Sequence, residues 1–143
     1  MKKKIVKVIF PKPLNLGKRK WGTETLLVVI PKILSLKILK IKKGKKGGLQ
    51  YHHFKNECGY IVSGRLLVRF DNGKGKLKSK ILNKGDCFHF PPGAVHQEEA
   101  LTEVKILEAS SPHLNDRVRV EHLYNLKAEE GLPTTKKNQV KLL

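Results

Sequence analysis

The stretch LQYHHFKNECGYIVSG, residues 49–64, places residues that could bind a metal ion close together. Gln50 and His52 are two residues apart, and Glu57 follows His52 by five residues. Side chains two apart on a strand point to the same face. If residues 53–56 turn the chain, Glu57 on the returning strand joins Gln50 and His52 at one place. The spacing therefore predicts one half of a metal site.

A second stretch, KGDCFHFPPGAVHQEEAL, can supply the other half. Pro91 and Gly93 predict a tight turn, and His96 begins the strand that returns from it. If His96 lies on a neighbouring strand, the site holds two imidazoles, a carboxylate and the amide oxygen of Gln50, a mixture that suits one divalent transition metal: Zn, Mn, Fe, Ni or Co. Such a set leaves positions on the ion open for water or substrate, as a catalytic site requires.

Short strands are the elements that must position these residues. Apolar, β-branched or alternating runs predict strands over residues 3–10, 25–30, 34–41, 60–64, 65–70, 76–82, 86–90 and 103–110. The alternation slips at Ile38–Leu39, as a bulge would make it, and DNGKG (71–75) is typical of a hairpin turn. Strand spacing of about ten residues, without a long amphipathic helix, favours an antiparallel sandwich or barrel.

The first stretch resembles the first signature motif of the cupin superfamily, which has an H-x-H pair, then a glutamate, then six residues and a glycine. His52, Glu57 and Gly64 match that motif, and Gln50 stands where its first histidine is expected. Gln-x-His is similar to the pattern of phosphomannose isomerase-type cupins, and KRKWGTE (18–24) resembles their Arg-x-Trp-Gly opening. The resemblance implies that Gln50 is a ligand variant. An alternative register would use His53 instead.

The second stretch resembles the second cupin motif, which has a glycine, a P-x-G turn, a histidine and an asparagine. Gly85, Pro91, Gly93 and His96 match it, and Ala100 replaces the asparagine. The two motifs are in the right order, about twenty residues apart. The resemblance implies an all-β cupin fold, a double-stranded β-helix or jelly-roll barrel. The sequence also resembles the small stand-alone cupins found beside sugar-nucleotide enzymes.

This resemblance implies a metal site of Gln50, His52, Glu57 and His96 and an isomerase or epimerase acting on a sugar phosphate or related sugar. His89 alternates with two phenylalanines and is expected to face the barrel mouth as a catalytic acid or base, unless it is an ordinary core histidine. Two other functions remain open. One is a non-catalytic module that binds a sugar or nucleotide-sugar, and the other is an iron-dependent dioxygenase.

The charge distribution bears on partners. The net charge is +18, and residues 1–56 hold 16 of the 30 lysines and arginines but one of the 12 acids. This asymmetry favours a small anionic substrate or reflects a merely Lys-rich surface. Few aromatic residues accompany the charges, so nucleic acid is less favoured as a partner.

No apolar run is long enough for a membrane span. Two cysteines, expected to be buried thiols, favour the cytoplasm.

The domain organisation follows from these patterns. Residues 1–20 are expected to form an N-terminal strand or arm, residues 21–112 the barrel, and residues 113–143 an extension that ends in a mobile basic tail. Within the extension, residues 117–124 could add a strand and residues 126–130 a helical turn. The chain is expected to form a homodimer, with its apolar N-terminal strand as a candidate for exchange between subunits.

Overall fold

Two antiparallel sheets make up the protein in a computed structural model that describes Met1–Leu143. The eleven strands are β1 Leu14–Arg19, β2 Gly22–Ile30, β3 Leu34–Ile41, β4 Gln50–Tyr51, β5 Glu57–Ser63, β6 Leu66–Asp71, β7 Leu77–Leu82, β8 Cys87–Phe90, β9 His96–Ala100, β10 Val104–Ser110 and β11 Val118–Arg119. One sheet has the order β1-β2-β3-β10-β5-β8 and the other β11-β4-β9-β6-β7. The predicted all-β jelly-roll barrel is confirmed.

The barrel interior is divided into an apolar half and a polar half, and β3 shows the division most clearly. Every second residue of this strand is buried: Leu39 and Ile41 point into the apolar half, while Ser35 and Lys37 point into the polar half. Its neighbour β10 has the same pattern and sets Glu108 opposite Lys37. Alternation on paired strands therefore aligns polar residues with polar ones at one end of the barrel.

The apolar half is one cluster of buried side chains. Its ten members are Leu39, Ile41, Ile61, Leu66, Val68, Leu82, Phe90, Ala100, Val104 and Ile106. They come from seven strands that belong to both sheets. This cluster joins the two sheets, and burial of its apolar surface is what stabilises the closed barrel.

The predicted strand over residues 3–10 does not form. Residues 1–13 have no regular structure, and apolar side chains such as Ile9 and Phe10 are 81% and 88% exposed. The first strand begins at Leu14, where β1 pairs with β2. Nothing on the same chain covers this apolar arm. The homodimer, with the arm as its exchanged segment, stays a prediction that sedimentation velocity of the full chain would check.

The predicted bulge at Ile38–Leu39 is wrong, because β3 alternates without interruption. The irregularity lies on the neighbouring strand β2, between Leu26 and Val28. The prediction failed because it treated Lys37 as an outward residue. Lys37 is buried, and its Nζ lies 2.6 Å from Glu24 Oε1, so an ion pair compensates for the burial of its charge.

The C-terminal extension is more ordered than the sequence indicates. Within 117–124, a two-residue strand, β11, leads into a 3-10 helix over Glu121–Tyr124, and no helix forms over 126–130. The backbone N–H of Leu143 donates to Pro112 at 3.1 Å. Since β1 and β11 both join the sheets, each predicted terminal segment contributes a strand to the barrel. No helix of the structure is both long and apolar enough to cross a bilayer.

Replacing Ile106 by alanine should test the role of the apolar cluster. Ile106 is fully buried, so the Ile106→Ala variant should lose about 2–5 kcal/mol of unfolding free energy in urea denaturation. Leu107 is the control, because it follows on the same strand but lies half-buried on the outer face. Leu107→Ala should cost about 1 kcal/mol or less. Equal losses for both variants would contradict this description of the core.

Candidate metal centre

Three of the predicted ligands meet in the polar half of the barrel. The Nε2 atoms of His52 and His96 each lie 3.1 Å from Oε1 of Glu57. One ligand atom from each residue lies within 4.8 Å of the others, and all three side chains are buried. The two sequence motifs therefore supply one compact cluster of two imidazoles and a carboxylate.

Backbone pairing brings the two motifs together. Gln50 on β4 pairs with His96 on β9, and the N–H of Gly93 donates to the carbonyl of His52 at 2.9 Å. Gly93 has a φ of +86°, which a side chain would strain, so glycine at this position permits the turn. Gln50 lines the same cavity as the cluster, and its role as a fourth ligand stays a prediction.

Hydrogen bonds to main-chain carbonyls fix both imidazole rings. Nδ1 of His52 lies 2.5 Å from the carbonyl of Asp116, and Nδ1 of His96 lies 2.9 Å from the carbonyl of Ala94. A carbonyl can only accept, so each Nδ1 carries the proton and donates. Each Nε2 then presents a lone pair to the cluster, which is how histidines are oriented as metal ligands.

Three acceptor atoms consequently converge without a donor among them, so the cluster requires a cation. Burial alone would raise the pKa of Glu57, but the charge of Lys55 holds it well below its usual range. Burial would lower the pKa of His96, but Glu57 raises it. A proton can partly meet this requirement. Two imidazole nitrogens and one carboxylate oxygen also suit a borderline divalent metal.

Lys55 holds the second oxygen of the candidate carboxylate ligand. Its Nζ lies 2.5 Å from Oε2 of Glu57 and 3.3 Å from Oε1 of Glu108. Burial would lower the pKa of Lys55, but the two carboxylates raise it, so the ammonium stays charged. Glu57 therefore offers a single oxygen, Oε1, to the imidazoles. Sequence reasoning missed Lys55 because a lysine inside a barrel has no distinctive pattern.

Asp116 organises the turn between the first two ligands. Its carboxylate accepts the backbone N–H groups of His53, Phe54 and Lys55 at 2.9, 2.7 and 2.8 Å. Burial would raise the pKa of Asp116, but these three donors lower it. The same residue orients His52 through its carbonyl. Sequence reasoning missed Asp116, which lies in an irregular segment outside both motifs.

His89 does not face the cavity. On β8 the side chain of Phe90 is buried, so His89 lies on the exposed outer face, with Nε2 2.7 Å from Oδ1 of Asn56. The alternative ligand His53 is also outside the cluster. Its ring packs edge-on against that of Tyr51, with 5.8 Å between the ring centroids. The two cysteines, which the sequence suggested were buried, are free and exposed.

Glu98, not Glu99, shares the cavity with the candidate ligands. Glu98 is two residues from His96 on the same strand and lines the cavity. Burial raises the pKa of Glu98 to about 8, and the carboxylates of Glu108 and Glu57 add to the effect. Glu99 points the other way, with Oε2 2.6 Å from a guanidinium nitrogen of Arg69.

The cluster lies in a cavity of about 900 Å³, large enough for a small-molecule ligand. Trp21 is part of its wall. Besides the buried lysines of the polar half, five cationic residues line it: Lys18, Arg19, Lys20, Arg117 and Arg119. Anionic small molecules would therefore be attracted to this cavity.

The structure is thus a small barrel of two antiparallel sheets with a buried cluster of two histidines and one carboxylate. A family model described as "Cupin domain" matches residues 37–109, half of the chain, and the chain belongs to the cupin family. Germin-like protein 12-2 of Oryza sativa subsp. japonica is a relative, 32% identical over 97 residues that cover 59% of this chain and 42% of that protein. An uncharacterised protein of Methanocaldococcus jannaschii is 38% identical over 71 residues, covering 48% of this chain and 53% of that one.

Solved structures show the same fold. CapF, a capsular polysaccharide assembling protein from Staphylococcus aureus, aligns with a TM-score of 0.65 and 21% identity over 77% of this chain and 32% of that one. KdgF from a Halomonas species aligns with a TM-score of 0.56 and 21% identity over 67% of this chain and 85% of that one. The chain matches less than half the length of the germin-like protein and of CapF.

Replacing Asp116 by alanine should destabilise the protein by about 3 kcal/mol at neutral pH, because one buried and two partly buried backbone N–H groups lose their partner. Urea denaturation would measure the loss. Since the pKa of Asp116 is lowered in the folded state, its contribution is present above the unfolded pKa of about 3.9 and disappears as the pH falls through the folded value. The difference from the parent should therefore shrink in acid.

Asp71 provides the matched control for this variant. Its carboxylate also accepts three backbone N–H groups, but in the exposed turn between β6 and β7. Asp71→Ala should therefore cost less than Asp116→Ala, since water can replace the lost acceptor. An equal cost for both variants would contradict the role assigned to Asp116.

Proposed function

We propose that the protein is a metal-dependent enzyme that isomerises or epimerises a small anionic sugar, such as a sugar phosphate. The observation that supports this most strongly is the convergence of His52 Nε2, His96 Nε2 and Glu57 Oε1 inside a cavity lined by cationic residues. His52, Glu57 and His96 would hold the metal, with Gln50 as the candidate fourth ligand. A divalent ion there would supply Lewis-acid polarisation of the sugar carbonyl.

Glu98 is the residue we assign to proton transfer, in place of His89. Side chains two apart on a strand share a face, so Glu98 and His96 point into the same cavity. As a carboxylate, Glu98 would remove the proton from the carbon beside the carbonyl. As the resulting acid, it would return that proton to the former carbonyl carbon while the hydroxyl proton moves to the other oxygen, which gives isomerisation. Return to the same carbon after the intermediate has turned its other face towards Glu98 would give epimerisation. Neither outcome changes the number of protons or electrons.

The polar half of the barrel provides further support for a charged, hydroxylated substrate. Lys37, Lys55 and Glu108 lie deep in the cavity with the candidate ligands, and each forms an ion pair with a neighbour. An apolar ligand would have to lie against these charged groups without replacing their hydration. A sugar can satisfy them through its hydroxyl groups, and its anionic group would match the excess of cationic residues.

Metal content is the first test of this function. Protein purified without added metal or chelator should contain about one equivalent of a transition metal, and the His52→Ala/His96→Ala double variant should contain none. A double variant of two histidines outside the cluster, His53→Ala/His89→Ala, should keep the metal. Mass spectrometry of the metal in all three samples checks the expectation. A parent that stays empty even with added Zn, Mn, Fe or Ni would contradict it.

The second test separates catalysis from binding. In a screen of sugar phosphates with the metal-loaded protein, Glu98→Gln should lower kcat about 10²- to 10⁴-fold while metal content is retained. Glu99→Gln is the matched control, because it makes the same change one residue away on the outer face, and it should behave as the parent. Ligand binding without turnover in the parent would instead favour a binding module. Oxygen uptake would favour a dioxygenase.

A further inference from the structure

Arg117 is a half-buried cavity residue whose guanidinium makes no ion pair or hydrogen bond within the protein. The other cavity arginines are engaged: Arg19 pairs with Glu24 at 3.6 Å, and Arg119 donates through Nε to Glu121 at 2.9 Å. A guanidinium has five N–H donors in a fixed plane, and leaving them unpaired away from bulk water is unfavourable. Arg117 therefore has donors free for a ligand.

The acids nearest to Arg117 are already occupied. Glu24 accepts from Lys37 at 2.6 Å, and Asp116 accepts three backbone N–H groups. Burial, together with the positive charges of Arg19 and Arg119, lowers the pKa of Arg117, although Glu24 and Asp116 oppose the change. No acidic side chain is therefore left to pair directly with the Arg117 guanidinium. An anion entering the cavity would supply that partner.

Strand pairing places Arg117 beside His52, one of the three residues of the candidate metal site. On β11, Arg119 pairs with Gln50 and Val118 with Tyr51 of β4. One residue further along the same register, Arg117 comes level with His52. Both residues line the cavity. A small molecule could therefore contact the candidate metal site at one end and Arg117 at the other.

We infer that Arg117 binds the oxyanion of the substrate, a phosphate or a carboxylate, in a subsite beside the candidate metal site. This inference rests on the proposed function and gives it a substrate class, a sugar with one acidic group. The guanidinium would form two parallel hydrogen bonds with the oxyanion, a geometry that lysine cannot reproduce. Arg19 and Arg119 would add to the positive field without leaving their acidic partners.

Calorimetric titration of the metal-loaded chain, residues 1–143, tests the subsite. The probes are inorganic phosphate, glucose 6-phosphate, glucuronate and uncharged glucose, at about 0.15 M salt to screen distant charges. The parent should bind at least one of the acidic sugars more tightly than glucose. Preference for the phosphate or for the carboxylate identifies the oxyanion. A parent that binds no anion would overturn the inference.

Three variants make the test specific. Arg117→Gln should weaken binding of the preferred anion about 10- to 100-fold, as expected for lost charge-assisted hydrogen bonds. Arg65→Gln removes the same charge from an exposed residue on another surface and should change binding less than twofold. Arg117→Lys keeps the charge but not the planar donor pair, so its affinity should fall between parent and Arg117→Gln. Equal effects of Arg117→Gln and Arg65→Gln, or none from either, would overturn the assignment.

Metal analysis of the same samples separates this inference from the proposed function. Arg117→Gln should keep the parent's metal content, since Arg117 is not a candidate ligand. Anion binding that depends on Arg117 in a chain unable to hold metal would support the subsite and contradict the metalloenzyme. Anion binding unaffected by Arg117→Gln in a chain that does hold metal would overturn the subsite alone.

Discussion

The polar half of this barrel depends on the buried carboxylate of Glu57. A buried carboxylate is costly unless cations and donors surround it. One oxygen takes the ammonium of Lys55 at 2.5 Å, and the other faces two imidazole nitrogens at 3.1 Å each. The lysine gives the first oxygen a permanent partner. The second oxygen remains part of an acceptor-rich cluster that a divalent cation would complete.

The surrounding structure holds this arrangement from several directions. The Asp116 carboxylate fixes the turn after His52, and its carbonyl fixes the ring. The Gly93 turn bonds back to His52, so the two motifs hold each other in place. The apolar cluster packs the other half of the barrel, and it holds the strands that carry these polar contacts in place. Such preorganisation is what a metal site and its substrate pocket require.

Strand spacing predicted an antiparallel sandwich or barrel, and the resemblance to the two cupin motifs predicted the jelly-roll and the meeting of His52, Glu57 and His96. The sequence could not locate groups that reach the cavity through long-range pairing. Lys37 and Lys55 appear as ordinary surface lysines until their carboxylate partners from other strands are known. Asp116 and Arg117 enter the site only because the short strand β11 pairs with β4.

The error at His89 has a different cause. Its position between two phenylalanines fits either face of a strand, and the burial of Phe90 decides which face turns inward. The N-terminal segment shows the limit of β-propensity in the same way. Residues 3–10 have the composition of a strand, but a strand needs a neighbour to pair with, and this chain provides none.

Anomalous diffraction from crystals grown with cobalt(II) and measured at the cobalt edge would test the central claim most directly. The account predicts a single strong peak about 2 Å from Nε2 of His52, Nε2 of His96 and Oε1 of Glu57. Lys55 should remain on Oε2 of Glu57. A cluster without a peak, while cobalt binds at exposed histidines such as His89, would contradict it. The convergence of acceptors would then be satisfied by protons alone.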